Sequence, residues 1–119
     1  MGDELLVVTS EQVGGAEIVR VAGEVDICTA PRLNAALSAA CESVQPKGAL
    51  VVDLTGVTYF GSFGLSAVVI AHHRCQERRG TFLVVADDQL VLRPLRTSGL
   101  DRVFTIVRST DEAAESYCA

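Results

Sequence analysis

Lysine is nearly missing from this sequence: Lys47 stands alone among 10 Lys and Arg residues, and 15 Asp and Glu residues bring the formal net charge to -5. Displacing counterions from nucleic-acid phosphates needs clustered basic side chains, so no direct nucleic-acid partner is expected. The basic residues that do come close together, Arg74, Arg78 and Arg79, read as the exposed end of a helix. Long apolar runs are missing too. Even the run around residues 65–71 stops at His72, His73 and Arg74, short of the roughly 20 apolar residues a membrane helix needs, so no membrane partner is expected. The N-terminal Met1-Gly2-Asp3-Glu4 has neither the basic region nor the apolar stretch of a secretory signal, and a cytoplasmic location is expected.

The 4 cysteines, Cys28, Cys41, Cys75 and Cys118, are scattered, without a C-x-x-C pair. His72 and His73 are adjacent rather than about four residues apart, so they cannot share a helical metal site. No metal site or cofactor is expected. No G-x-G-x-x-G opens a helix after a strand, and the P-loop pattern does not occur, which removes the usual nucleotide-binding devices. The carboxylates Asp26, Asp53, Asp87 and Asp88 come without a convergent His or Lys, so no catalytic site is expected and the chain does not read as an enzyme.

What is present is an ordinary single-domain composition, 119 residues with 49% hydrophobic, read as one domain over 1–119. Residues 5–8 and 17–23 are β-rich runs joined through Gly14-Gly15, a hairpin. Thr29 is placed to cap a helix that has Pro31 in its first turn, with Leu33, Leu37, Ala40, Cys41 and Val44 along one face. Residues 49–54, Ala-Leu-Val-Val-Asp-Leu, form the near-continuous apolar run of a central parallel strand. A largely buried helix is predicted from Ser62–Gly64 to about Arg79, ended by Gly80. A strand over 81–85, a helix capped by Asp87 or Asp88 and interrupted by Pro94, and a strand over 103–107 follow. A terminal helix opens on a Ser109/Glu112 capping box. The fold class is therefore α/β, a mixed, mostly parallel sheet of about five strands with an N-terminal hairpin, packed with about four helices.

Three passages carry a family resemblance. Gly23-Glu24-Val25-Asp26-Ile27-Cys28-Thr29-Ala30-Pro31-Arg32-Leu33, then residues 52–65 with Gly61-Ser62-Phe63-Gly64-Leu65 at their end, then Ser98-Gly99-Leu100-Asp101-Arg102-Val103-Phe104 together resemble the STAS family of anti-sigma factor antagonists. The resemblance implies a protein that binds an anti-sigma factor, often a serine kinase, and so frees a sigma factor. It also implies that phosphorylation of one serine switches the binding off. The family pattern D-S-S-G-L is matched here by Gly61-Ser62-Phe63-Gly64-Leu65, which puts Ser62 at the phosphorylated position, with Gly61 in place of the Asp and Phe63 in place of the second Ser.

Ser62 lies where a helix presents unpaired amides and its positive dipole end, a setting that accommodates phosphate; plain capping of the helix is the other role open to a serine there. Phe63 either tucks against the sheet or stands out as a partner anchor. The partner-binding candidates are Asp26, Cys28, Thr29, Gly61, Ser62, Phe63 and Gly64. Asp26 is a candidate helix cap, partner contact or kinase-orienting carboxylate. Cys28, Cys75 and Cys118 are redox candidates, with Cys28 expected to be more exposed than Cys41. The alternative allowed by the same resemblance is a constitutive or redox-controlled STAS interaction module, including a subunit of a transport or lipid-trafficking complex.

Overall fold

In the computed structural model, which describes residues 5–118 and side chains through residue 116, strands and helices alternate after an opening hairpin. The order is β1 (Leu6–Val13), β2 (Ala16–Val25), α1 (Ala30–Ser43), β3 (Ala49–Phe60), α2 (Ser62–Glu77), β4 (Thr81–Val85), α3 (Gln89–Thr97), β5 (Thr105–Val107) and α4 (Thr110–Cys118). The N-terminal Met1-Gly2-Asp3-Glu4 and the Cys118 side chain, both named above, lie outside this description.

The five strands form one sheet in the order β1-β2-β3-β4-β5. β1 and β2 are antiparallel across the Gly14-Gly15 turn, where Gly14 takes a φ of 61°, and every later pair is parallel. β3 is central, as its unbroken apolar run requires: Leu50, Val52 and Leu54 enter the large core against α1, α2 and α3. Ala49 and Val51 point the other way, into a smaller cluster closed by Ala113 of α4. The three crossover helices therefore share one face, in keeping with a single crossover hand.

Several boundaries differ from the sequence reading, each for a local reason. β3 runs on from Leu54 to Phe60, because Thr55, Val57, Thr58 and Tyr59 suit a strand and β2 is long enough to pair with them, Val25 opposite Phe60. The two strands approach so closely at Gly56 that a Cβ there would stand 2.9 Å from that of Ala22. β5 begins at Thr105 instead of Val103. Gly99, at φ 81°, leads into a 3-10 turn over Leu100–Arg102, and the Val103 and Phe104 amides both close back onto the Leu100 carbonyl.

The capping residues also need correction. Thr29 occupies the N-cap of α1 but its hydroxyl makes no capping bond; it donates to the Glu24 carbonyl at 2.7 Å. The Asp88 carboxylate does cap α3, accepting from the Leu90 amide at 2.9 Å. At α4, Ser109 accepts from the Glu112 amide, while Glu112 accepts from the Arg108 amide rather than that of Ser109, so the reciprocal half of the box is displaced by one residue. Arg74 and Arg78 are exposed but are not merely solvated. Arg74 donates to the Ser38 hydroxyl, and Arg78 to the carbonyls of Glu42 and Val44, tying α2 to the end of α1. Arg78 thus satisfies carbonyls that the end of a helix otherwise leaves open.

Candidate functional site

The strands β2 and β3 end side by side, and the Gly61 amide donates to the Val25 carbonyl at 3.3 Å, fastening the loop after β2 to the start of α2. The sequence sets up this junction by placing a polar turn, Asp26 to Thr29, after one strand and a glycine after the other.

Asp26 organises the first loop. Its Oδ1 accepts from the Cys28 amide at 2.9 Å and the Thr29 amide at 3.0 Å, and its own amide donates to the Thr29 hydroxyl at 3.0 Å. Its carbonyl takes the Ala30 amide at the head of α1. The Cys28 and Thr29 amides both precede the first residue of α1, so the carboxylate does not cap that helix; it shapes a loop that projects Ile27 and Cys28 into solvent. Thr29, expected at the partner surface, is only 4% exposed; its hydroxyl ties Glu24 to Asp26 instead of facing outward.

On the second loop, Gly61 is the N-cap of α2 in an extended conformation and contributes no side-chain cap. Its carbonyl accepts from the amides of both Gly64 and Leu65. Ser62 is the first helical residue, so it is not the cap. Its side chain is exposed and has no hydrogen-bond partner among the described residues. The first turn carries no acidic residue, which leaves the positive end of a 16-residue helix uncompensated at the hydroxyl.

Gly64 was also expected at the partner surface, and it is buried. A Cβ there would lie 2.7 Å from the Phe60 ring and 3.0 Å from Val25 Cγ1, so this glycine is required by packing. It lets α2 sit close over the strand ends and holds Ser62 outward.

Phe63 stands out, 48% exposed. Two further large side chains project at the same end of the sheet, Tyr59 at 53% and Ile27 at 64% exposure. The Tyr59 ring lies beside Gly61, where a Cβ would meet its Cε2 and Oη at 3.3 Å. Sequence reasoning missed Ile27 and Tyr59. Their position within the two motif passages was the available signal, since a strand end and a four-residue turn leave little core for such side chains to enter. The exposed members of the site are then Ile27, Cys28, Tyr59, Ser62 and Phe63: one hydroxyl and one thiol among apolar and aromatic groups, a surface suited to a protein partner.

The remaining titratable candidates are internal. Cys41 is buried and its thiol is raised by that burial. Cys75, a redox candidate from its place near a helix end, is fully buried, and burial together with the neighbouring Cys41 pushes its thiol up to about 11. A group with so little thiolate and no solvent access does not suit redox chemistry. His72 packs on Phe82 and Phe104, with ring centroids at 5.3 and 5.1 Å, and burial followed by the charge of His73 lowers its pKa. Among the described residues no three His, Cys, Asp or Glu side chains are grouped to hold a metal ion, and no helix is long and apolar enough to cross a membrane.

Comparison with known proteins bears on the family and the fold. The family model for the STAS domain matches residues 7–113. The chain is 29% identical over 108 residues to the anti-sigma-F factor antagonist RsfB of Mycobacterium tuberculosis, spanning 91% of this chain and 86% of that protein. It is 33% identical over 88 residues to the anti-sigma-B factor antagonist of Listeria monocytogenes, covering 72% and 74% of the two chains. Its fold superposes on the crystal structure of an anti-sigma factor antagonist from Mycobacterium paratuberculosis with a TM-score of 0.88 and 32% identity, covering 96% of this chain and 95% of that one.

Proposed function

The chain belongs to the STAS domain family, and from that premise we propose that it is an anti-sigma factor antagonist, which frees a sigma factor by binding its anti-sigma factor and is released by phosphorylation of Ser62. The relatives it matches are named as regulatory antagonists, not as enzymes. The observation that carries the finer reading is the exposed, unpartnered Ser62 hydroxyl at the first position of α2, set among Ile27, Tyr59 and Phe63, all about half exposed or more.

In this reading the neutral surface docks on the anti-sigma factor through the apolar side chains. A phosphoryl group on Ser62 adds about −1.5 to −2 charges at neutral pH. The open amides and positive end of α2 stabilise that charge on the free protein, while a partner closing over it must desolvate it. Both effects weaken the complex. A serine kinase is the partner type that such a switch requires, either the anti-sigma factor itself or an accompanying enzyme.

The test is capture from a lysate of the native cells with wild type, Ser62→Ala and Ser62→Asp, identifying bound proteins by mass spectrometry and measuring affinities with the purified partner. The expected result is an anti-sigma factor held by wild type and Ser62→Ala and lost with Ser62→Asp. Equal binding by all three variants would leave antagonism without the phosphoswitch, and capture of transport subunits in place of an anti-sigma factor would sink the reading altogether.

A further inference from the structure

At the opposite end of the sheet lies a group that this function does not use. Glu17 pairs with Leu50 near the start of β3, whereas Val25 pairs with Phe60 at its end, which puts the two sites roughly 30 Å apart at about 3.3 Å per strand residue. Glu17 is only 8% exposed, and its Oε1 is buried without a hydrogen-bond partner among the described residues. A buried carboxylate oxygen without a donor is costly, and native proteins rarely leave one so.

The surroundings favour a positive group. Glu17 lines two adjoining surface clefts, one of about 170 Å³ between β1 and α1 and one of about 100 Å³ between the hairpin turn and the end of α1. Each is several times the about 10–15 Å³ that one water occupies. The helix wall over the larger cleft is made of small side chains, Ala36, Ala39, Ala40 and Ser43. The clefts meet at Ser43, in the last turn of α1, which carries no basic residue and presents the negative end of the helix dipole. Arg78, the cation that reaches this helix end, donates to the Glu42 and Val44 carbonyls and forms no ion pair with Glu17. With one carboxylate and no His, Cys, Asp or Glu grouping among the described residues, the site lacks the several oxygen ligands that a divalent metal takes.

We propose that the Glu17 clefts are a binding site for an organic cation, a guanidinium or alkylammonium head that donates hydrogen bonds to the Glu17 carboxylate at the end of α1. The source is either a free amine or an arginine side chain of a peptide, and both present the same donors. The proposal is independent of the anti-sigma reading, since it involves neither Ser62 nor its loop.

The test follows backbone amide resonances of the full chain during titration with argininamide, n-butylammonium and, as neutral control, n-butanol. Saturable shifts are expected at Ala16, Glu17, Ser43 and Gln45 with the cations and none with butanol. Glu17→Gln, nearly isosteric, should weaken the binding at least about tenfold, whereas Glu11→Gln, at an exposed acid paired with Arg20, should leave it unchanged. An arginine-containing peptide and its citrulline counterpart separate the two sources: tighter binding of the arginine peptide than of argininamide assigns a protein partner, and the reverse assigns a free amine. Thermal melts of each variant with saturating argininamide guard against misfolding, with the melting temperature rising for wild type and Glu11→Gln only. Absence of saturable shifts in wild type, or equal binding by a folded Glu17→Gln, overturns the proposal.

Discussion

If the Ser62 surface is the partner interface, the exposed Phe63 ring should carry a measurable share of the affinity. Phe63 is 48% exposed. Of the roughly 200 Å² that a phenylalanine can bury, about 100 Å² therefore remains for a partner to cover, worth about 2.5 kcal/mol at about 25 cal/mol per Å². Association returns only part of such a figure, because ordering the side chain and imperfect pairing at the interface oppose it. Phe63→Ala is thus expected to weaken binding by about 1.4–2.5 kcal/mol, roughly 10- to 70-fold in Kd. The assay is calorimetric titration of the purified anti-sigma factor. The matched control is Val13→Ala, since Val13 is 46% exposed but lies at the hairpin, away from Ser62. A loss confined to Phe63→Ala supports the placement of the interface. Equal affinities for wild type and both variants refute the reasoning, and a larger loss with Val13→Ala moves the interface to the hairpin.

Asp26→Ala removes a carboxylate oxygen that accepts from two backbone amides and should cost about 1–2 kcal/mol in urea denaturation, with Asp26→Asn recovering part; an unchanged unfolding midpoint would show that the loop does not depend on this side chain. His72 has a folded pKa below its ordinary 6.5, so below about pH 7 the unfolded chain binds the proton more readily and stability falls, by at most about 1.4 kcal/mol per pH unit. His72→Leu should flatten that slope between pH 7 and the lowered folded value, and an unaltered slope would assign the acid sensitivity elsewhere. Thiol alkylation of the folded chain at pH 8, mapped by mass spectrometry, should modify Cys28 while sparing Cys41 and Cys75, which are 1% and 0% exposed; fast labelling of Cys75 would contradict the packing described for α2.

The core was legible in the sequence and the surface of the site largely was not. Leu33, Leu37, Ala40, Cys41 and Val44 recur at helical spacing and all are buried, and the apolar run from Ala49 marks the central strand because only a strand covered on both faces tolerates it. Periodicity reports which side of an element is apolar. It does not report where a strand stops when its neighbour keeps pairing, and so β3 was read short. Nor does it say which of two acceptors a hydroxyl will choose, as at Thr29, or whether an aromatic ring at a helix start turns in or out, as at Phe63. Glu17 falls at the start of a β-rich run in the N-terminal hairpin, and nothing in the local pattern marks it. Its burial follows from α1 crossing over it with a row of alanines, a tertiary fact that the local pattern does not contain.

The two departures from the family pattern bear on the switch in different ways. What would stabilise a phosphoryl group on Ser62, as proposed, is the start of α2 itself: the open amides and a first turn without acidic residues. Neither Gly61 nor Phe63 alters those backbone groups, so the charged state remains accommodated without the family carboxylate. What the two residues alter is the surface beside the hydroxyl. Gly61 lacks a side chain, the Tyr59 ring lies beside it, and Phe63 projects from the helical position after Ser62. A kinase approaching Ser62 would thus meet two aromatic rings where the family pattern has an Asp and a Ser. The same rings enlarge the apolar area an anti-sigma factor can cover. If Ser62 is phosphorylated as proposed, the two substitutions would therefore enlarge the docking area and narrow kinase access while leaving the helix-terminal groups unchanged, so kinase specificity would reside at positions 59, 61 and 63 and the response to phosphate in the backbone of α2.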